Sequence, residues 1–339
     1  MRIVTWNIEW FTALFDADDL LLCDDGPSGR YGVTRGEQCD ALAHVFRALD
    51  ADLVMIIEAP DQGSRRSCTR ALAGFAAFAG IRANVALMGF ASESQQEIAV
   101  LHAPAALSMV HDPQGYPGPG HGGPRFDGSY SFTDPGSGRQ EKVRWARPPL
   151  ELLCQSAAGA VFRVIGVHTK SKAPSGARDA DDMVRLGLEN RRKQHGQCLW
   201  LRERIDALLE AGESLIVLGD FNDGPEEDAF EAQFPRSGVE LVLGWDRSPE
   251  LQLYDLNARK GLSKHLAAAP VSARFRQPDG QFISALLDYV MVSPDLRARD
   301  PQWCIWNPFD TPRCYGDPDL ATALQLASDH FPVVLDIDL

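Results

Sequence analysis

Short apolar segments that predict β-strands outnumber those that predict helices, and no other feature of the sequence constrains the fold as much. Residues 2–10 alternate bulky apolar and polar types, as in a half-buried strand, whereas residues 53–57 form a continuous apolar run, as in a strand buried on both faces. Helical spacing over residues 37–50 lies between them and predicts a β-α-β opening. Further strands are predicted at residues 84–90, 97–102, 105–111, 150–155, 160–168, 214–219, 285–292 and 331–337, and further helices at 68–79 and 181–211.

The 339 residues show no composition break that would separate a second core, so we expect one large α/β domain built on packed sheets. Two segments interrupt the pattern. Residues 16–36 are acidic and contain glycine, which is typical of an insertion. Residues 111–138 contain five Pro and eight Gly and predict a long mobile loop, either a functional lid or a surface insertion.

Charge and composition exclude several classes of protein. The net charge of −14 opposes general attraction to nucleic acid or to an anionic membrane, so such a partner needs a local basic patch. The seven cysteines form no CxxC pair, which indicates free buried thiols rather than a zinc knuckle or a disulfide framework. The sequence contains no run of 18 apolar residues and no signal-like leader, which favours a cytoplasmic protein without a membrane span.

Polar and ionisable residues recur at the ends of the predicted strands, where α/β sheets expose their ligand-binding groups. They are Asn7, Glu58, His168, Asp220, Asn222, Asp288, Asp329 and His330. Almost no Lys or Arg lies beside them, so this concentration of oxygen atoms would repel itself without a cation. Carboxylate and amide oxygens without thiolates suit Mg²⁺ or Mn²⁺.

The motifs that carry these residues resemble, in chain order, the signatures of the endonuclease/exonuclease/phosphatase superfamily. They are Thr5-Trp6-Asn7-Ile8-Glu9, Ile56-Ile57-Glu58, Val167-His168-Thr169-Lys170-Ser171-Lys172, Gly219-Asp220-Phe221-Asn222-Asp223, Leu287-Asp288-Tyr289-Val290 and Ser328-Asp329-His330-Phe331-Pro332. This superfamily includes deoxyribonuclease I, apurinic-site endonucleases, sphingomyelinases and inositol phosphatases. Six motifs in order over nearly the whole chain are a specific signal.

The resemblance implies a four-layer α/β sandwich, with two central mixed sheets flanked by helices and the site at one end. By position in the motifs, it implies that Glu58 is the main metal-binding carboxylate, with Asn7 nearby and Asp329 contributing. The ion implied is Mg²⁺ or Mn²⁺.

The remaining motif positions resemble the catalytic groups of the family. His330 resembles the general base, and Asp288 resembles the carboxylate that holds its tautomer. Asp220 and Asn222 resemble the pair that positions the attacking water and a phosphate oxygen, and His168 resembles a second histidine that donates to the phosphoryl group. Phosphate ester hydrolysis needs these parts: a positioned water, a base, and donors or cations against the phosphoryl oxygens.

The sequence departs from the family pattern at one position, and at another it indicates which branch of the superfamily the chain resembles. The family usually has Gln before the metal-binding Glu, whereas this chain has Ile57, so one amide near the metal is missing. Apurinic-site enzymes carry a tyrosine where this chain has the strand ending at His168. The chain therefore resembles the histidine-bearing phosphodiesterase and phosphatase branches and not the abasic-site repair enzymes.

Candidate substrate-binding residues come mainly from residues 161–212, which carry a net charge of +3. Those considered are Lys170, Lys172, Arg191 and Arg192, which either bind substrate phosphates or form a solvated helix face. Arg147 precedes a predicted strand and either faces a phosphate or has a structural role.

Together these features predict a metal-dependent phosphoesterase that hydrolyses phosphodiester bonds by in-line attack of water, either nuclease-like or specific for a small molecule. A phosphomonoesterase or lipid head-group phosphatase of the same fold is an alternative. A non-catalytic module that binds a phosphorylated ligand or a protein is the alternative from another class. The expected partner is a phosphate ester, with nucleic acid bound only weakly because of the net charge.

Overall fold

The computed structural model describes residues 1–115, 122–224, 236–263, 269–277 and 280–339. The strands of these residues, in chain order, are β1 (Arg2–Asn7), β2 (Leu53–Ala59), β3 (Val85–Met88), β4 (Glu97–His102), β5 (Leu107–His111), β6 (Tyr130–Thr133), β7 (Gln140–Val143), β8 (Leu150–Ser156), β9 (Val161–His168), β10 (Leu215–Asp220), β11 (Ala273–Arg276), β12 (Phe282–Ala285), β13 (Asp288–Val292), β14 (Gln302–Ile305) and β15 (Val333–Asp336).

The α-helices of the described residues follow the capping rules closely. They are α1 (Arg35–Leu49), α2 (Cys68–Ala79), α3 (Ala180–Glu210), α4 (Gly238–Leu243), α5 (Leu256–Gly261), α6 (Pro294–Arg297), α7 (Pro312–Tyr315) and α8 (Pro318–Ala327). Thr34 and Glu37 form a capping box at the start of α1, and the Asp179 side chain accepts from a backbone N–H of α3. A short 3₁₀-helix, Phe11–Leu14, follows β1.

Two mixed sheets form the centre of the fold. The first has the strand order β14-β15-β1-β2-β4-β3, and the second has the order β13-β10-β9-β8-β5. Each contains one parallel pair, β1 with β2 and β9 with β10, and its other neighbours are antiparallel. Two separate hairpins, β6-β7 and β11-β12, lie outside these sheets.

Side chains alternate between the two faces of each strand, so each central sheet contacts a different layer on either side. In β2, Leu53, Met55 and Ile57 join the core between the sheets, whereas Val54 and Ile56 pack with α1, α2 and α8 on the outer face. The helix α3 packs its apolar residues on the second sheet. The result is the expected arrangement of two central sheets flanked by helices, which confirms the predicted fold class.

Most of the long predicted elements are confirmed, some with the same bounds. Helix α2 and strand β4 span the residues predicted for them, and α1 and α3 differ by one or two residues at each end. The prediction of a strand over residues 2–10 was too long, because β1 ends at Asn7 and Trp10 has a left-handed backbone. The predicted strand over 285–292 is two elements, the end of β12 and β13, separated by Leu286 and Leu287, which belong to neither strand.

The segment 111–138 differs from the predicted loop where it is described. It contains strand β6, and the side chain of Phe126 is fully buried between Trp145 and Trp200. Residues 116–121 of this segment lie outside the described residues. The insertion at 16–36 is irregular, with isolated bridges such as that between Pro27 and Thr34.

The state of the cysteines and the apolarity of the helices can be compared with what the composition predicts. All seven cysteines are free, and five of them are buried. Among the described residues, no helix combines the length and apolarity needed to cross a bilayer.

Candidate active site

A cleft of about 920 Å³ opens at one end of the layer between the two sheets. Of the thirteen residues singled out from the sequence, Arg192 does not line it and ten do: Asn7, Glu58, Arg147, His168, Lys170, Lys172, Asp220, Asn222, Asp329 and His330. Asp288 lies directly behind His330 and contacts it. Arg191 is not among the lining residues.

Strand register brings three of the polar residues into one row. His168 is the register partner of Asp220 in the parallel pair β9-β10, and Asp220 is the partner of Asp288 in the antiparallel pair β10-β13. Register partners on adjacent strands point to the same face, so all three side chains point to the same side of the sheet. Gly219, with φ +138°, directs the end of β10; a Cβ there would meet the Val167 carbonyl oxygen at 2.0 Å.

Asn7 connects the two sheets at the base of the cleft. It ends β1, and its Nδ2 donates to Asp220 Oδ2 at 3.0 Å. Its Oδ1 is buried and has no hydrogen-bond partner. A buried amide oxygen left unpaired costs free energy, about 1–3 kcal/mol, unless a ligand binds it.

Glu58 enters the cleft because its backbone leaves the strand geometry. Its φ is +62°, in the left-handed region, and the pairing of β2 with β4 shifts register between Ile57 and Ala59. Burial raises the pKa of Glu58, and the carboxylate of Asp329 adds to the rise, whereas Arg147 and His330 oppose it. A left-handed backbone at a non-glycine residue is disfavoured, and such residues concentrate at functional sites.

These observations fit a hard divalent cation. The unpaired Asn7 oxygen and the carboxylates of Glu58 and Asp329 all line the cleft, and a cation bound by these oxygen atoms would remove the repulsion between the two carboxylates. One ligand atom each of Asp220, Asp288 and His330 also lie within 4.8 Å of one another. In that second set, however, Asp288 and His330 bind each other and Asp220 already accepts hydrogen bonds from Asn7 and Asn222.

His330 and Asp288 form a buried pair. The Nδ1 of His330 lies 2.7 Å from Asp288 Oδ2, and the Ser272 hydroxyl donates to the same Oδ2 at 2.8 Å. Although burial alone would lower the pKa of His330, the carboxylates of Asp288 and Asp220 hold it well above its ordinary value. Because Nδ1 is engaged, Nε2 is the ring nitrogen left for a ligand.

Asp220 and Asn222 form a second hydrogen-bonded unit. Burial and the nearby Asp288 raise the pKa of Asp220 to about 7, against the effects of His330, Asn222 and Asn7. Both donor positions of the Asn222 amide are in use, because Nδ2 donates to the Thr169 carbonyl and to Asp220 Oδ2, each at 3.2 Å. The Asn222 amide oxygen is therefore its acceptor for a ligand.

His168 is a neutral imidazole. Burial holds its pKa well below the ordinary value, and the positive charges of Arg147, His330 and Lys170 add to the effect. Its Nε2 lies 3.5 Å from Asp220 Oδ2, and its Nδ1 is buried without a hydrogen-bond partner. A buried neutral imidazole with an unpaired nitrogen is suited to bind an oxygen of a ligand or a water.

Arg147 and Lys170 supply positive charge along one wall. Arg147 donates to Gln96 Oε1 at 2.7 Å and to the Thr169 carbonyl at 3.2 Å, which fixes its guanidinium. Burial lowers the pKa of Lys170, and the neighbouring Arg147 lowers it further. Two neighbouring cations repel each other in this way, and a bound anion would stabilise both of them.

Lys172 and Arg191 are held by one buried carboxylate. Lys172 Nζ lies 2.7 Å from Asp223 Oδ1, and the Arg191 guanidinium lies 2.9 Å from the same atom. Asp223 is fully buried and also accepts from the backbone N–H of Gly238. Arg191 is 4% exposed, so its charge stabilises the loop after β10 and does not line the cleft.

Sequence reasoning missed two cleft residues, Glu9 and Trp10. The Glu9 carboxylate forms an ion pair with Arg30 of the insertion. Burial raises the pKa of Glu9 to about 7, with Asp329 and Glu58 adding to the rise. The position of Glu9 in the first motif was the sequence signal that could have indicated a place in the site.

Two serines behind the cleft were also missed. Ser272 supports Asp288, and the Ser328 hydroxyl donates to the Asn7 carbonyl at 2.8 Å while accepting from the backbone N–H of His330. Ser328 thus fixes the end of β1 against the histidine. Its position in the last motif was a signal, whereas nothing in the sequence marks Ser272.

Comparisons with known proteins identify the family and support the fold. A model of the endonuclease/exonuclease/phosphatase family matches residues 4–330. No curated protein sequence matches the chain. Many solved structures share the fold.

Three of the similar structures cover nearly all of the chain. One is a 3′ phosphatase from Neisseria, NExo, bound to a product DNA hairpin, with a TM-score of 0.50, 14% identity and 100% of both chains covered. A family protein from Bacteroides thetaiotaomicron has a TM-score of 0.50 and 13% identity, with 100% of this chain and 98% of that chain covered. Truncated TDP2 from Caenorhabditis elegans has a TM-score of 0.50 and 12% identity, with 98% and 96% covered. At these identities the likeness establishes the fold.

Proposed function

The chain belongs to the endonuclease/exonuclease/phosphatase family, whose members are hydrolytic phosphoesterases, and from this we propose that it is a divalent-metal-dependent phosphodiesterase. The observation that carries the proposal is the buried His330–Asp288 pair, which lies beside the Asp220–Asn222 unit in the same cleft. A base and a water-positioning unit on the same cleft are the parts that hydrolysis of a phosphate ester requires.

Glu58, Asn7 and Asp329 are the residues that would hold the metal, and Mg²⁺ and Mn²⁺ both suit their oxygen atoms. When bound, the ion supplies positive charge against the phosphoryl oxygens. The missing Gln at Ile57 does not remove any of these three donors, because Ile57 is buried in the core between the sheets.

The chain's own residues perform the proton transfer and the positioning. Asp288 holds the Nδ1–H of His330, so Nε2 takes the proton of the attacking water; the water oxygen forms a bond to phosphorus as the bond to the leaving oxygen breaks. The carboxylates that raise the pKa of His330 make it a stronger base, and the reaction uses the molecules in which this imidazole is neutral, because a protonated Nε2 cannot take a proton. The Asn222 amide oxygen accepts from that water and fixes its direction of attack.

The phosphoryl oxygens are bound from the other side. Neutral His168 donates a ring N–H to one of them, and the guanidinium of Arg147 and the ammonium of Lys170 face the developing charge. The guanidinium of Arg147 is already fixed by hydrogen bonds to Gln96 and Thr169, so it needs little reorganisation during the reaction.

The charge of the cleft favours a diester over a monoester. Its lining acids are Glu9, Glu58, Asp220 and Asp329, and its lining basic side chains are Arg147, Lys170 and Lys172. A phosphodiester carries one negative charge, whereas a phosphomonoester carries nearly two at neutral pH. The singly charged ester therefore meets less repulsion from the carboxylates.

The test is hydrolysis of bis(4-nitrophenyl) phosphate and of 4-nitrophenyl phosphate with Mg²⁺, Mn²⁺ or a chelator. We expect chelator-sensitive cleavage with the diester preferred. Glu58→Gln should reduce the rate at least about a hundredfold, because it removes the charged metal ligand, whereas Glu141→Gln, on the exposed strand β7, should not change it. Undiminished metal-dependent activity in Glu58→Gln would refute the proposal, and metal and phosphate binding without turnover of any diester would indicate a binding module.

A further inference from the structure

Trp10 is an exposed aromatic residue held in an unfavourable backbone conformation on the wall of the cleft. Half of its surface is exposed, its φ is +56°, and its side chain lines the same cleft as Asn7 and Glu58. A left-handed backbone at a bulky residue is disfavoured, and exposure of a large indole adds a further cost. Residues that combine such costs concentrate where a ligand is bound.

The insertion at 16–36 holds Trp10 in place. Gly29, with φ +118°, packs against it so closely that a Cβ there would lie 2.8 Å from the Cβ of Trp10. The adjacent Arg30 forms the ion pair with Glu9, and the Trp10 carbonyl accepts from the backbone N–H of Ala13. Trp10 is therefore packed against Gly29, while half of its surface stays exposed and its side chain lines the cleft.

Two arginines of strand β11 lie next to Phe275, which lines the cleft, and both contact aromatic rings. The guanidinium of Arg276 lies 4.1 Å from the centroid of the Tyr31 ring, and that of Arg274 lies within 5 Å of both Phe282 and Phe309. Neither arginine has a carboxylate partner among the described residues. Despite the net charge of −14, β11 thus carries two arginines and several aromatic rings beside the cleft-lining Phe275.

We propose that Trp10 forms a nucleobase subsite, in which the base of the nucleoside esterified to the reacting phosphate stacks on the indole. This inference rests on the proposed phosphodiesterase function and specifies its substrate as a nucleotide or a single-stranded nucleic acid. Trp10 follows Asn7 by three residues, so their Cα atoms lie within about 11 Å, a separation that a nucleotide spans. Guanidinium groups cover the neighbouring aromatic faces, which favours nucleic acid over a lipid surface.

A pair of small diesters tests the subsite by kinetics. Thymidine 5′-(4-nitrophenyl phosphate) and methyl 4-nitrophenyl phosphate share their leaving group and differ in the nucleoside. Trp10→Ala should reduce the ratio of their kcat/KM values about tenfold or more, mainly through KM for the nucleoside ester, and Trp10→Phe should restore most of it. Trp245→Ala removes a similarly exposed tryptophan outside the cleft and should leave the ratio unchanged.

Two glycines of the insertion provide a second, independent pair of variants. Gly29→Ala displaces Trp10 without removing it, whereas Gly32→Ala adds a Cβ at a positive φ where no atom lies within 4 Å. Both substitutions carry a backbone cost, so a difference between them reports the contact with Trp10. We expect the selectivity ratio to fall in Gly29→Ala and to hold in Gly32→Ala.

A binding measurement separates this inference from the proposed function. Titration of the protein with adenosine 5′-monophosphate and with ribose 5-phosphate, followed by tryptophan fluorescence, should show tighter binding of the nucleotide in the wild type and no difference in Trp10→Ala. Equal binding of the two ligands by the wild type, or an unchanged selectivity ratio in Trp10→Ala, would overturn the subsite. Base-dependent binding without cleavage of any diester would instead refute the proposed function and leave the subsite intact.

Discussion

The Nδ2 of Asn7 donates to Asp220 Oδ2 at 3.0 Å, and this hydrogen bond joins the two central sheets at the base of the cleft. Asn7 ends β1 of the first sheet, and Asp220 ends β10 of the second. The bond uses one side of the amide and leaves Oδ1 buried and unpaired. In the proposed mechanism, Asn7 would therefore both orient the Asp220 carboxylate and offer an oxygen to the cation.

Asn7→Ala should raise the Mg²⁺ or Mn²⁺ concentration needed for half-maximal activity about tenfold or more, because both functions of the amide are lost. Asn7→Asp should reduce activity further, since it places a second carboxylate about 3 Å from Asp220. Metal titrations of the hydrolysis rate measure both effects. An unchanged metal requirement in Asn7→Ala would show that Asn7 does not contribute to the metal site.

Ser272→Ala tests the support of Asp288. The Ser272 hydroxyl donates to Asp288 Oδ2 and accepts from the backbone N–H groups of Leu287 and Asp288. Its loss leaves buried donors unpaired, so we expect the free energy of unfolding to fall by about 1–3 kcal/mol. We also expect kcat to fall with KM nearly unchanged, because His330 loses orientation. Ser131→Ala, at an exposed position of β6, is the matched control for urea unfolding and kinetics.

The sequence predicted which polar residues of the strand ends lie at the site, because strand ends are visible as polar residues after apolar runs. Strand register then brings His168, Asp220 and Asp288 together. It could not predict Ser272, because a serine between elements shows no pattern until the fold brings it to Asp288. It also could not predict Trp10, since alternation continues through residue 10 and only the tertiary contact with Gly29 explains the left-handed backbone.

The sequence around Arg191 contains a signal that this side chain is buried. It shares one face of α3 with Gln194, Cys198, Leu201 and Ile205, at the three- and four-residue spacing of a buried stripe. That spacing indicates a core-facing position, in agreement with its ion pair to Asp223. The hairpin β6-β7 gave no such signal, because its strands are four residues long and half of its positions are exposed and polar.

The segment before this hairpin depends on a buried ion pair between Arg204 of α3 and Glu151 of β8. Arg204 also donates to the carbonyls of Gly122 and Pro124 and lies over the Phe126 ring at 4.7 Å. Arg204→Met should lower the free energy of unfolding by about 3–5 kcal/mol, because it leaves a buried carboxylate unpaired. The double variant Glu151→Gln/Arg204→Met should recover much of that loss in urea unfolding; equal losses would assign the effect to packing.

Burial of His195 in α3 predicts a loss of stability in mild acid. Burial lowers the pKa of His195 to about 4, from an ordinary value of 6.5. Between these values the unfolded chain binds a proton that the native protein does not, so the free energy of unfolding decreases as pH falls, by up to about 3 kcal/mol. His195→Gln should flatten the stability curve between pH 6.5 and 4, measured by urea unfolding. A slope equal to that of the wild type would exclude His195 as its source.

The most direct measurement is the hydrolysis of bis(4-nitrophenyl) phosphate by the wild type, His330→Ala and Asp288→Asn, each with Mn²⁺ and with chelator. The account predicts chelator-sensitive cleavage that falls by about three orders of magnitude in His330→Ala and by a smaller factor in Asp288→Asn, which keeps the shape of the pair but loses its charge. Wild-type cleavage that persists in His330→Ala would contradict the assignment of His330 as the base.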